Sequence, residues 1–179
     1  MTDPTEPHSL RAVMEQLAAA EAERALGDTP LSARERRART VARLAAVQAL
    51  YQMELGGEGV ETVVKEVSDH RFEADTDEGV LAEADEAYFA EIVRGVVAEQ
   101  AAVDGAITKR LADGWKINRL DSTLRALLRA GAWELMHRPD TPKEVVLDEY
   151  VELAKAFFDD RDARFVNAAL DGVARDVRG

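Results

Sequence analysis

One period dominates this chain. From Ser32 to the C-terminus apolar residues recur at steps of three and four, segment after segment, and no apolar/polar alternation runs for more than a few positions. Apolar residues make up 46% of the 179, yet 31 residues are alanine and only 6% are aromatic. Small side chains suit close helix packing better than a sandwich of bulky β-branched strands. The expected fold class is all-α.

Capping signals divide the pattern into elements. Ser32-Ala33-Arg34-Glu35 reads as a capping box, after which Val41, Leu44, Gln48, Tyr51 and Leu55 form an inward stripe until Gly56-Gly57 ends the helix. Val60, Val63, Val64 and Val67 mark a short helix, and the polar stretch 68–79 a loop. A long helical pattern starts near Asp85, carries Tyr88, Phe89, Ile92, Val93 and Val96, breaks within 100–105 and stops at Gly114. Asp121 or Ser122 can cap the next helix, which ends before Pro139. Thr141-Pro142-Lys143-Glu144 reads as a second capping box with proline at the first helical position. Asp159 to Asp162 opens the last helix, with Phe165, Val166, Ala169, Leu170 and Val173 inward. Residues 9–26 carry one more stripe, Leu10, Val13, Met14 and Leu17, which alanines continue weakly. That stripe is expected to dock loosely. Residues 1–30 thus read as an extension, helix or tail, and 31–179 as the domain proper.

Charge narrows the function. The formal net charge of -12 repels nucleic acid and anionic membrane from the molecule as a whole. It is unevenly spread, however. Arg34, Arg36, Arg37, Arg39 and Arg43 face a single acid, Glu35, within ten residues, a local +4 that leaves -16 on the rest. With no cysteine there is no disulfide or thiolate site, which fits a reducing cytoplasm, and no apolar run approaches a membrane span. His8, His70 and His137 are scattered along the chain, so no metal and no cofactor is expected. Asp159, Asp160 and Asp162 read as helix-capping acids rather than a cation site. Trp115 and Trp133 read as packing residues. No nucleophile elbow or phosphate loop is present, and no enzymatic activity is expected.

The arginines carry the functional signal. At 100° per residue Arg36, Arg39 and Arg43 fall within about 60° of one another, away from the stripe of Val41, Leu44 and Tyr51. Arg37 extrapolates onto the stripe and so lies before the buried part begins. Guanidinium groups favour bidentate grasp of phosphates and stacking on bases. The same residues could instead face a partner protein's acids, which keeps a helical protein–protein adaptor open as the alternative.

Several segments resemble the NusB family of bacterial transcription antitermination factors: RTVARLAAVQALYQ from Arg39 to Gln52, Trp115 to Leu120, LRALLRAGAWEL from Leu124 to Leu135, Pro142 to Val146, DEYVELAKAF from Asp148 to Phe157, and Arg164-Phe165-Val166-Asn167 with Leu170-Asp171. Their order and spacing over about residues 34 to 177 make the match. The resemblance implies a compact all-α domain of about seven helices in two packed bundles. It also implies binding to the boxA element of nascent RNA together with the ribosomal protein NusE, within the antitermination complex of RNA polymerase. In that family the arginine-rich start of the first helix contributes to RNA contact. The assignment carries over to Arg39 and Arg43, with Arg36 and Arg37 adding charge nearby, and the phenylalanine of the FVN motif maps to Phe165. From its own periodicity Phe165 fits a core position equally well. Thr40 and Val41 stand where family members often carry arginine, and Ala168 replaces the glycine after FVN. The expected protein is cytoplasmic, monomeric or homodimeric.

Overall fold

The computed structural model describes residues 12–17, 31–69 and 85–179. Most of the expected loop over 68–79, and the expected N-terminal helix apart from 12–17, lie outside the described residues. Among the described residues every regular element is helical: α1 (Ala33–Gly56), α2 (Val60–Val67), α3 (Glu86–Ala98), α4 (Gln100–Thr108), a 3₁₀ turn (Ile117–Arg119), α5 (Ser122–His137), α6 (Lys143–Phe157) and α7 (Asp160–Arg178).

The helix starts follow capping chemistry. The Ser32 hydroxyl accepts from the Glu35 amide at 3.1 Å while the Glu35 carboxylate accepts from the Ser32 amide at 3.4 Å, closing the capping box. Asp85 accepts from Tyr88 N, Asp121 from Thr123 N and Leu124 N, and Asp159 from Asp162 N, so each side chain satisfies amides that its helix leaves orphaned. Asp160 and Asp162 sit in the first turn of α7, where acids complement the helix dipole. The second capping box does not form: Pro142 itself occupies the N-cap of α6 and no side chain caps it. The long helix breaks one residue before the expected stretch, at Glu99, and α4 ends at Thr108 rather than at Gly114. Gly114 serves the loop beyond, with φ of +85°.

Two helices organise the packing. α1 lies against α2, α3 and α5, while α5 lies against α1, α3, α4, α6 and α7. Both are buried nearly all round: Thr40 to Val47 of α1 are consecutively buried, as are Leu124 to Leu128 and Ala130 to Leu135 of α5. Ala42, Ala45, Ala46 and Ala49 make this possible, because only small side chains let neighbours close on every face of one helix. Val13, Met14 and Leu17 are also buried and belong to the same core, which corrects the expectation of loose docking. Beyond Leu50, α1 leaves the core. Tyr51 is 38% and Leu55 63% exposed, although the periodicity placed both inward. The stripe continues along the helix; the neighbours that would bury it do not.

At Gly95 a side chain of α5 packs directly on the backbone of α3. A Cβ on Gly95 would lie 2.1 Å from Trp133 Cε2, and Trp133 is buried with its ring stacked on His137 at 5.5 Å between centroids. Gly95→Ala is therefore expected to displace the indole and to destabilise the fold by about 1–3 kcal/mol. Urea unfolding together with the near-ultraviolet dichroism of Trp133 checks both effects.

Candidate nucleic-acid interface

The arginine run splits into surface and core. Arg34 and Arg37 are exposed, and Arg36 is half-buried with Nη1 donating to Leu31 O at 2.7 Å, which ties the chain entering α1 to its first turns. Arg39 is half-buried and its guanidinium lies 4.8 Å from the centroid of the Tyr88 ring. Arg138, from the C-terminal end of α5, lies 4.7 Å from the same centroid and pairs with Glu91 at 2.7 Å and Asp140 at 3.0 Å. Two guanidinium groups thus lie over the Tyr88 ring within cation–π distance. The cationic surface consists of Arg34, Arg36, Arg37 and Arg39 around the start of α1.

Arg43 is not part of that surface. It is 2% exposed, and its Nε and Nη2 donate to the two carboxylate oxygens of Glu134 at 2.9 and 3.0 Å. Nη2 also reaches Tyr88 Oη at 3.2 Å, and Nη1 lies 3.9 Å from Glu149. The hydroxyls of Tyr88 and Tyr150 both donate to Glu134, and Thr40 Oγ1 donates to Glu149 at 3.0 Å. The expectation of a solvent-facing Arg43 in contact with RNA is overturned: a wheel projection assumes one wet face, and α1 has none at this level. Sequence reasoning also passed over Glu134, Glu149 and Tyr88. A signal existed. Glu134 and Glu149 sit among the apolar positions of α5 and α6, where a charge calls for a buried partner.

Electrostatics follows from this enclosure. Burial works to lower the Arg43 pKa, but the charges of Glu134 and Glu149 outweigh it and hold the guanidinium well above its ordinary value. Burial pushes the Glu134 carboxyl up, while the Arg43 charge and the hydrogen bonds from Arg43, Tyr150 and Tyr88 hold it below the usual range. Burial raises Tyr88 to about 12 and drives Tyr150 well above its ordinary value. A raised tyrosine pKa means that the folded state keeps a proton the unfolded chain gives up. The stabilisation is complete below pH 10, the ordinary value, and is lost as pH climbs toward 12. Melting temperature should therefore fall steeply across that window, with tyrosinate absorbance rising as helical dichroism is lost. Ionisation of both buried tyrosines with the helices intact would contradict the network.

Phe165 lies on α7, half-buried and packed against the core. One part of the ring belongs to the interior and the rest is accessible. Trp115 departs from its packing assignment: it is 57% exposed on the loop between α4 and α5. Elsewhere, Val47, Gln48, Tyr51, Leu55, Thr123 and Phe157 line an open apolar groove of about 610 Å³ where α1 emerges from the core.

The described residues thus form an all-helical domain with a cationic helix start on an otherwise acidic chain. The family model described as the NusB family matches residues 40–175. The transcription antitermination protein NusB of Caulobacter vibrioides is 59% identical over 140 residues, covering 78% of this chain and 94% of its own. That of Sinorhizobium fredii is 49% identical over 152 residues, covering 85% and 94%. Among solved structures, Thermotoga maritima NusB superposes with a TM-score of 0.64 at 30% identity, covering 76% of this chain and 90% of its own. A structure of the antitermination factors NusB and NusE in complex with double-stranded RNA gives 0.66 at 28% identity, covering 78% and 98%. The chain belongs to the NusB family.

Proposed function

We propose that this protein is a transcription antitermination factor that binds boxA RNA of nascent transcripts together with the ribosomal protein NusE and joins the elongating RNA polymerase complex. The observation that carries the RNA reading is the cluster of Arg34, Arg36, Arg37 and Arg39 at one helix start of a chain with net charge -12. Local positive potential on an acidic molecule selects where a polyanion docks, and guanidinium groups suit phosphate. The relatives' name and the solved complex with NusE and RNA support the same function. Arg36, Arg37 and Arg39 are the phosphate contacts, and the accessible part of Phe165 is a candidate base contact. The apolar groove at Tyr51, Leu55 and Phe157 supports a protein-docking face for NusE, since exposed aromatic and aliphatic side chains flanking a concavity favour protein partners.

Titration of boxA-type RNA against a scrambled control, with and without NusE, tests the proposal. Three to four neutralised phosphates on a single strand give a log–log salt slope of roughly -2 to -3. Arg37→Ala should weaken RNA binding on all sequences alike while shifting folding stability by no more than about 0.5 kcal/mol. A slope near zero would remove the arginine face from the RNA site. Binding of NusE without any RNA affinity, alone or in the joint complex, would favour the adaptor reading instead.

A further inference from the structure

We propose that the loop between α4 and α5 is a second contact for single-stranded RNA, in which the Trp115 indole stacks on a base and Lys116 and Arg119 hold the flanking phosphates; this rests on the RNA-binding reading above. Trp115 is 57% exposed, yet the loop that carries it is firmly built. Its amide donates to Ala112 O at 3.0 Å, next to the left-handed turn at Gly114. On the other side Ile117 packs against the core and Leu120 is buried. The buried Arg125 guanidinium donates to Ile117 O at 3.2 Å and Leu120 O at 2.7 Å, while pairing with Glu54 of α1. The indole is therefore presented to solvent by an anchored turn.

Its surroundings favour an anionic, flat-faced ligand. Lys116 and Arg119 are exposed and have no ion-pair partner among the described residues, and Lys109 adds a third exposed cation on the same loop. Opposing them are Asp113 and Asp121, of which Asp121 is engaged by the amides of Thr123 and Leu124; Arg110 is held by Asp176. An aromatic platform flanked by unpaired cations is the chemistry that binds single strands with little sequence preference, since every base offers a π-face. A duplex hides those faces. The Glu54–Arg125 pair puts the loop near the C-terminal end of α1, about 22 Å along the helix axis from Arg39, so an RNA confined to the arginine face does not reach it.

The chain has two tryptophans and Trp133 is buried, so quenching of the red-shifted, solvent-exposed part of the emission reports on Trp115. The full-length protein is titrated with a short boxA-type RNA and with the same RNA extended by an unstructured run at each end. The extended RNA is expected to quench the indole emission and to bind more tightly than the short one. Trp115→Ala should lose roughly tenfold in affinity for the extended RNA only, and Trp115→Phe should recover most of it. Paired Lys116→Ala and Arg119→Ala changes should make the salt slope for the extended RNA shallower by about 1.4. Unchanged emission at saturating extended RNA, with Trp115→Ala binding as the parent does, would overturn this proposal while leaving the arginine-face reading intact. Failure of the parent protein to bind either RNA would overturn both. Quenching by NusE in the absence of RNA, lost in Trp115→Ala, would assign the loop to a protein and overturn the RNA contact.

Discussion

The fold turns on one ion pair buried where its two central helices cross. Arg43 of α1 meets Glu134 of α5 through two parallel N–H···O bonds, Tyr88 and Tyr150 also donate to Glu134, and Glu149, which accepts from Thr40, lies 3.9 Å from Arg43. These groups come from α1, α3, α5 and α6, so a single cluster fixes how four helices meet. A buried pair of this kind adds little net stability compared with well-packed apolar side chains. Removing one partner, however, strands a charge and costs about 3–5 kcal/mol. Its value here lies in register. Alanine-rich helices can slide past one another at small expense in packing, and a bidentate bond admits one alignment only.

That alignment also serves the surface. Tyr88 touches both worlds: its hydroxyl donates to Glu134 inside, and its ring lies beneath Arg39 and Arg138 outside. The same helix that supplies Arg43 to the core therefore presents Arg34, Arg36, Arg37 and Arg39 about one to two and a half turns earlier, on a scaffold the core holds still. At its other end α1 carries Tyr51 and Leu55 into an open groove and pairs Glu54 with Arg125 beneath the Trp115 loop. A cationic end and an apolar end on one rigid rod suit a protein that brings an RNA and a second protein together.

Much of this was legible in the sequence, because helix starts and apolar periods are local. The capping box at Ser32, the acids at Asp85, Asp121 and Asp159, and the inward faces of α3, α5 and α7 follow from neighbours within four residues. The misreadings share one cause: burial depends on which helices lie alongside, which periodicity along one helix does not contain. Arg43 projects onto the polar face of α1, yet α5 and α6 cover that face with matching acids. Tyr51 and Leu55 continue the apolar stripe onto a side of α1 that its neighbours leave open. Trp115 belongs to a loop whose anchors, Ile117 and Leu120, fill the interior in its place. The solvent-facing arginine strip was accordingly drawn one helical turn too long, since Arg43 is buried.

Arg43 acts within the fold, coupled to Glu134, apart from the arginines that precede it on α1. A double-mutant cycle measures this coupling directly, with urea unfolding of Arg43→Met, Glu134→Leu and the double variant. Each single change leaves a buried charge without its partner, and the double change removes both. The double variant is expected to be more stable than the summed single losses imply by at least about 1 kcal/mol. Losses that add to within about 0.5 kcal/mol would show two independent side chains and no coupling between Arg43 and Glu134.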